Sequence, residues 1–148
     1  MSLVFPGKVD AKERLNIEKA YKSPLSFIFF KFTLNLIDRL IPIVTIPKDH
    51  LIYNISPIII EDAFNGSEVY LNIGNITNQT SVTHVRINNI TNILILPMFQ
   101  DLGKDFGKII SVSTQIFAGI KWEIEKPTKG SGYGIITLLN LNLVEGYR

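Results

Sequence analysis

From Leu25 onward the chain alternates, and that period of two constrains the fold more than any motif. In the stretch LSFIFFKFTLNLI, Ile28, Phe30, Phe32, Leu34 and Leu36 share one face, while Lys31, Thr33 and Asn35 take the other. Successive side chains of a strand point to opposite sides, so this spacing suits a strand with one face in a core and does not suit a helix. Phe27 and Phe29 break the rule, because they place large aromatics on the polar side. That side is therefore expected to be covered too, by another sheet or by another chain. The alternation returns in SEVYLNIGN, with Val69, Leu71 and Ile73 inward and Glu68, Tyr70 and Asn72 outward. It returns again in IKWEIEK, with Ile120, Trp122 and Ile124 inward and Lys121, Glu123 and Glu125 outward. The last such stretch, IITLLNLNLVEGYR, sets Leu139, Leu141 and Leu143 against Asn140 and Asn142.

Turn and breaker residues separate these runs. Pro42 and Pro47 cannot donate to a ladder, so IPIVTIP reads as a short or edge strand. Pro47-Lys48-Asp49 is turn chemistry. Pro57 inside HLIYNISPIIIEDAF predicts an edge position or a bulge. Asn65-Gly66 suits a type I′ turn, which would join that strand and the next as a hairpin. The polar stretch ITNQTSVTHVRINNITN reads as a long connection with one short helix or strand. ILILPMFQ is a compact apolar piece broken by Pro97, and Gly103 and Gly107 mark a turn region. IISVSTQIFAGIKWEIEK reads as one or two strands, and PTKGSGYG as a flexible turn before the last. Seven or eight short strands separated by turns predict an all-β fold, an antiparallel β-sandwich or barrel with a jelly-roll-like order. No repeat of solenoid or propeller length occurs.

Residues 1–24 differ from the rest. VDAKERLNIEKAYK contains helix formers, with Asp10 as an N-cap and Glu13 three residues later. Leu15, Ile17, Ala20 and Tyr21 form a weak apolar stripe. The segment reads either as a surface helix or tail, or as an arm that orders on a neighbouring subunit. Pro24 closes it. The expected organisation is an N-terminal helical or extended arm, 1–24, and a sandwich domain, 25–148.

Composition narrows the function. At 148 residues the chain suits one domain. Its apolar fraction is 46% and its charged fraction 19%, below the usual quarter, which suits a surface partly buried against a partner. Net charge is +2, and the basic residues Lys8, Lys12, Arg14, Lys19 and Lys22 are interleaved with Asp10, Glu13 and Glu18. No basic stripe results, so no nucleic-acid partner is expected. The absence of cysteine removes disulfides, thiolate catalysis and thiolate zinc sites, and suits folding in a reducing cytoplasm. The N-terminus has no apolar core of signal-peptide length. The most apolar window, Leu25 to Ile46, contains Lys31, Asp38, Arg39 and Pro42, so it reads as strands and not as a membrane span.

No catalytic set emerges. His50 and His84 have no partner at metal-ligand spacing. Glu61 and Asp62 are adjacent on a strand and so point to opposite faces. Glu123 and Glu125 share a face, as solvated charges on any strand do, and nothing marks them as a glycosidase pair. Gly130 to Gly134 lacks the Lys-Ser/Thr ending and the helix of a phosphate loop. The five Asn-X-Ser/Thr sequons, at Asn54, Asn65, Asn75, Asn78 and Asn89, read as accidents of a chain rich in Asn, Ser and Thr. The expectation is a protein that is not an enzyme and takes no cofactor and no metal.

Several pieces occur in an order that resembles the small β-sandwich proteins of tailed-phage virions, of the capsid-decoration and head-fibre type. They are TIPKDHLIYNISPIIIEDAFNGSEVYLNIGN, a polar connection, and IKWEIEKPTKGSGYGIITLLNLN. The matching residues are Ile46, Pro47, Ala63, Phe64, Asn65, Gly66, Ile73, Gly74, Thr128, Gly130, Ser131 and Gly132. The resemblance covers roughly Ile41 to Leu143. It implies a virion structural subunit, assembled in the host bacterial cytoplasm. It further implies a homotrimer that contacts the major capsid or other virion proteins. Residues 1–23 have no counterpart in it, and the Phe-rich strand at Phe27 to Phe32 is more aromatic than its pattern needs. Under this reading Phe27 and Phe29, with Leu15 and Tyr21 of the arm, are the expected interface residues. For Phe27 and Phe29 the alternative is filling the core between two sheets. Two other classes compete. One is a receptor- or glycan-binding sandwich using Tyr70 or Tyr133. The other is a small hydrolase whose carboxylates converge only in the fold.

Overall fold

The computed structural model describes residues 23–90, 93–94 and 102–144. Among these residues nine strands occur. They are β1 (Leu25–Thr33), β2 (Ile41–Ile46), β3 (His50–Asn54), β4 (Ile58–Asp62), β5 (Ser67–Gly74), β6 (Thr83–Arg86), β7 (Ile93–Leu94), β8 (Thr114–Glu125) and β9 (Ser131–Asn140). They form two antiparallel sheets. The first has the order β1-β9-β4-β7, with β3 also on β9; the second has the order β2-β8-β5-β6. Each sheet pairs an early strand with a late one, β1 with β9 and β2 with β8. If β3 and β4 are taken as one interrupted strand, each sheet has four, in the order of a jelly roll. The expected fold class is the observed one.

β3 and β4 lie along the same side of β9. Asn54 pairs with Thr137 and Ile58 with Gly134, so four steps on one strand oppose three on the other. The extra residue falls in 55–57, outside both strands, so the segment with Pro57 interrupts the ladder between β3 and β4; the register shifts within the paired strands lie at Ile52/Asn54 and Ile60/Asp62.

The core lies between the sheets. It includes Phe32, Ile46, Ile52, Ile58, Phe64, Leu71, Ile73, Ile116, Ile120 and Ile136. The Phe32 and Phe64 rings stack at 5.9 Å and 17°. Of the residues assigned inward in β1, Phe30 and Phe32 are buried. β1 stops at Thr33, however, and Leu34–Leu36 form a 3-10 turn that Thr33 caps, its hydroxyl accepting from the Asn35 N–H at 3.2 Å. Val69, Leu71 and Ile73 point inward as expected. β8 is one strand. The polar connection contains one short strand, β6. Of ILILPMFQ only the β7 backbone is described; the rest, with the whole of residues 1–22, lies outside the described residues.

Three expectations are corrected. Asn65-Gly66 does not make a hairpin, because β4 belongs to one sheet and β5 to the other. Gly66 has φ of 93°, whereas Asn65 is not in the positive region. The pair turns a corner between sheets. A Cβ on Gly66 would stand 2.5 Å from the Glu125 carbonyl oxygen, so this corner requires glycine twice over.

Second, Ile124 is 72% exposed. Ser67 pairs with Glu125 and Val69 with Trp122, so β8 carries one extra residue opposite Glu68. That bulge breaks the alternation just where it placed Ile124 inward.

Third, β9 faces the core with Gly132, Gly134, Ile136 and Leu138, and ends before Leu141. Phe32 pairs with Gly132 and Phe30 with Gly134. A Cβ on Gly132 would meet the Phe32 ring at 2.5 Å, and one on Gly134 would meet Phe30 at 2.7 Å. The aromatics of β1 fill the space the glycines leave, so the inward phase of β9 carries no side chain for a sequence pattern to detect.

Candidate interaction surfaces

The first surface is the outer face of the β1-containing sheet. Alternation sends Phe27, Phe29 and Lys31 of β1 outward, and their register partners on β9 are Thr137, Ile135 and Tyr133. Phe27 is 67% exposed and Phe29 64%. The Phe29 ring lies 5.3 Å from that of Tyr133. Across β9, Leu51 pairs with Leu139 and Ile59 with Tyr133; Tyr53, 58% exposed, extends the same face. Leu51, Ile59, Tyr133, Ile135 and Leu139 are half-buried. Three aromatics this open, of about 150–250 Å² each, and their half-buried neighbours make an apolar patch of several hundred Å². Soluble monomers seldom leave so much apolar surface contiguous. Of the two readings of Phe27 and Phe29, core filling does not hold, since neither side chain points between the sheets. Leu15 and Tyr21 lie outside the described residues.

The second surface is the outer face of the other sheet. Tyr70 pairs with Arg86 on one side and Lys121 on the other. Its ring stacks on His84 at 4.4 Å and 14°, and His84 Nδ1 sits 2.6 Å from Asn72 Oδ1. Arg86 Nε donates to Asn88 Oδ1 at 2.8 Å, and the Val69 N–H donates to the same oxygen at 3.2 Å. At the β8 bulge Glu123 meets Glu68, which itself has φ of 50°. The hydrogen bond that protonated Glu123 donates to the Glu68 carboxylate, and then the Glu68 charge, raise the Glu123 carboxyl above its ordinary value. Sequence reasoning set Glu123 beside Glu125 and missed Glu68. Only the bulged register brings the two together.

The loop asparagines serve as clamps. Asn65 Oδ1 accepts from the Thr128 and Lys129 N–H groups at 2.8 and 3.1 Å, and its amide donates to Thr128 Oγ1 at 2.9 Å. Phe64 beside it packs on Gly130. The two motifs that carried the resemblance, AFNG and TKGSG, therefore meet in space as one corner. Asn75 Oδ1 accepts from the Thr77 and Asn78 N–H groups, and its amide donates to Asp105 Oδ2 at 2.8 Å. Asn65 and Asn75 thus tie distant segments together, while Asn78 Oδ1 accepts locally from the Thr80 N–H; the three open three of the five sequons.

The chemical inventory is short. Among the described residues no group of three His, Cys, Asp or Glu side chains is placed to hold a metal ion. No buried side-chain polar atom among them lacks a hydrogen-bond partner. An open depression of about 490 Å³ is lined by Asn78, Thr80, Ser81, His84 and Lys104, with no carboxylate or activated nucleophile on its wall. His50 Nδ1 contacts the Lys48 carbonyl at 3.0 Å, an ordinary turn contact. No described helix is long and apolar enough to cross a membrane.

No protein-family model matches the chain, and no curated protein sequence matches it. Among solved structures it is similar to a chain described as "Cyanophage Pam1 capsid asymmetric unit". The TM-score is 0.56 over 94% of this chain and 93% of that one, at 10% sequence identity. At that identity the likeness is one of fold.

Proposed function

We propose that this chain is a non-enzymatic structural protein of a phage virion, a capsid-decoration or head-fibre subunit. It works as a homotrimer, is assembled in the host cytoplasm and resides in the virion. The outer face of the β1-containing sheet, centred on Phe27 and Phe29, meets the major capsid or another virion protein. Residues 1–24 act as an arm, with Leu15 and Tyr21 as its contacts. The role uses no cofactor, metal, nucleic acid or membrane. The observation that carries the proposal is the apolar outer face: exposed aromatics gathered on one sheet face suit association, and no catalytic set converges among the described residues. The jelly-roll order and the fold likeness to a phage capsid chain support it.

The test is the molar mass in solution by light scattering, with and without residues 1–24, followed by co-sedimentation with empty capsids. A trimer that binds capsids, and loses them on Phe27→Ser/Phe29→Ser, is the expected result. A monomer in both forms overturns the intrinsic trimer. The Tyr70–His84 stack on the polar face favours a second reading, a receptor- or glycan-binding module. Glycan binding lost in Tyr70→Ala, with assembly intact, would favour that reading.

A further inference from the structure

An edge strand shows a row of unpaired N–H and C=O groups to any chain nearby, so folded proteins blunt their edges. β3 pairs with no strand but β9, and its other side is covered by the Gly107 and Ile110 N–H groups, which donate to the Ile52 and His50 carbonyls; that leaves four edges, β1 and β7 in one sheet and β2 and β6 in the other. Three of these are blunted. β7 spans two residues. β6 spans four, with His84 and Arg86 exposed. β2 carries Pro42, a register shift between Pro42 and Val44, and Pro47 just past its end.

β1 shares with them one charge and a flanking proline, Pro24, whose carbonyl accepts from the Asn140 N–H and so faces β9, away from the open edge. It runs nine residues, Leu25–Thr33, without a proline and without a register shift against β9. Leu25, Phe27, Ile28, Phe29, Phe30 and Phe32 are apolar, and Lys31 is the single charged residue. Among the described residues no backbone group bonds to its open side; the Leu25 N–H meets only the nearby Ser23 hydroxyl.

We propose that the open edge of β1 pairs with β1 of a second copy. The two strands run antiparallel about a two-fold axis and join two sheets into one. The pairing needs a partner edge that is long, uninterrupted and apolar on the same face. Of the four described edges only β1 qualifies, so the complement that this chain supplies is β1 itself. Identical strands related by a two-fold meet antiparallel, residue i on j and j on i. Centred at Phe29, the match sets Phe29 on its twin and Lys31 opposite Phe27. That is a favourable cation–aromatic pair. A parallel match would set Lys31 on Lys31, which repels. The inference does not rest on the virion reading, because two-fold pairing doubles whatever unit the chain forms, a homotrimer to six chains or a single chain to two.

The test is residue-resolved amide exchange of the full chain over a dilution series, with light scattering on the same samples. In β1 alternate amides bond to β9 and the others face the open edge. With rising concentration the open-edge amides should slow by about tenfold or more while the mass doubles, because exchange then requires the pair to open. Phe29→Lys, at an exposed site, should halve the mass and restore fast exchange, and slow β9-facing amides certify that it is folded. Phe27→Lys is the second variant. Three results overturn the proposal. The open-edge amides stay fast at every concentration; the mass doubles while they stay fast, which means docking through the face; or they are slow at every dilution, which means the edge is closed within one chain.

Discussion

The outer face of β1, β9, β3 and β4 carries Phe27, Phe29, Tyr53, Ile59 and Ile135, with Lys31 on its edge strand; that of β5, β6 and β8 carries Glu68, Tyr70, Asn72, His84, Arg86, Lys121 and Glu123. Their inner faces are both apolar and buried, the first lined by Phe, Ile and Leu and the second by Val, Ile, Leu and Ala. The same period of two built both sheets, so the difference is not a requirement of folding. A solvated sheet face normally alternates to polar side chains, as the second one does. The first departs from that pattern by placing aromatics where water would be, a composition that suits the association proposed above.

The comparison can be broken most sharply within β1. Phe32→Ala should destabilise the chain by about 3–5 kcal/mol, because it opens a cavity against Phe64 and Gly132. Phe29→Ala, three residues away but outward, should cost less than about 1 kcal/mol in the same urea titration. If the two cost the same, Phe29 is a core residue. In the assembled state the ranking should reverse. Phe29→Ala should weaken association by about 2 kcal/mol or more, measured as a shift in the dissociation midpoint, while Tyr70→Ala on the polar face leaves it unchanged.

Asn65→Ala removes three hydrogen bonds that hold the 126–130 loop, and should cost about 1–2 kcal/mol in thermal unfolding. Asn65→Asp should recover part of the loss, because a carboxylate still accepts from the Thr128 and Lys129 N–H groups. The smallest effect belongs to the polar face. The raised Glu123 carboxyl binds a proton more readily in the folded state than in the unfolded one. The stability it confers is therefore fully present at acid pH, and is lost as pH rises from the unfolded value through the raised folded one. Glu123→Gln should flatten that slope and leave the chain slightly more stable at neutral pH, read from melting temperatures across the acid range. An unchanged slope would mean that Glu68 and Glu123 do not share a proton.

Much of the sandwich was legible where alternation meets a regular ladder. The inward phases of Phe30 and Phe32, and of Val69, Leu71 and Ile73, follow from period two alone. The break between β3 and β4 falls at Pro57, which has no N–H to donate to a ladder. The outward positions of Phe27 and Phe29 were legible, but not whether a second layer of the chain would cover them. The candidate face as a unit was not legible, because its other half comes from β3, β4 and β9, and the register that sets Ile59 and Ile135 beside Phe29 is long-range. Ile124 and the Glu68–Glu123 pair were misread or missed for one reason: a single extra residue on β8 shifts the phase, and no local signal marks it.

By itself, then, the sequence determined the all-β class, the inward face of most strands and the absence of thiol chemistry, because side-chain alternation and residue type are local properties. The tertiary structure decided which strands share a sheet. Asn65-Gly66 has the chemistry of a hairpin, yet it turns a corner between layers. Gly66 must clear the Glu125 carbonyl there, and the Asn65 side chain is committed to Thr128, sixty-three residues away in the chain. The structure also decided that, among the described residues, one outer face exposes its aromatics, since exposure depends on what packs above a side chain and not on its neighbours in sequence.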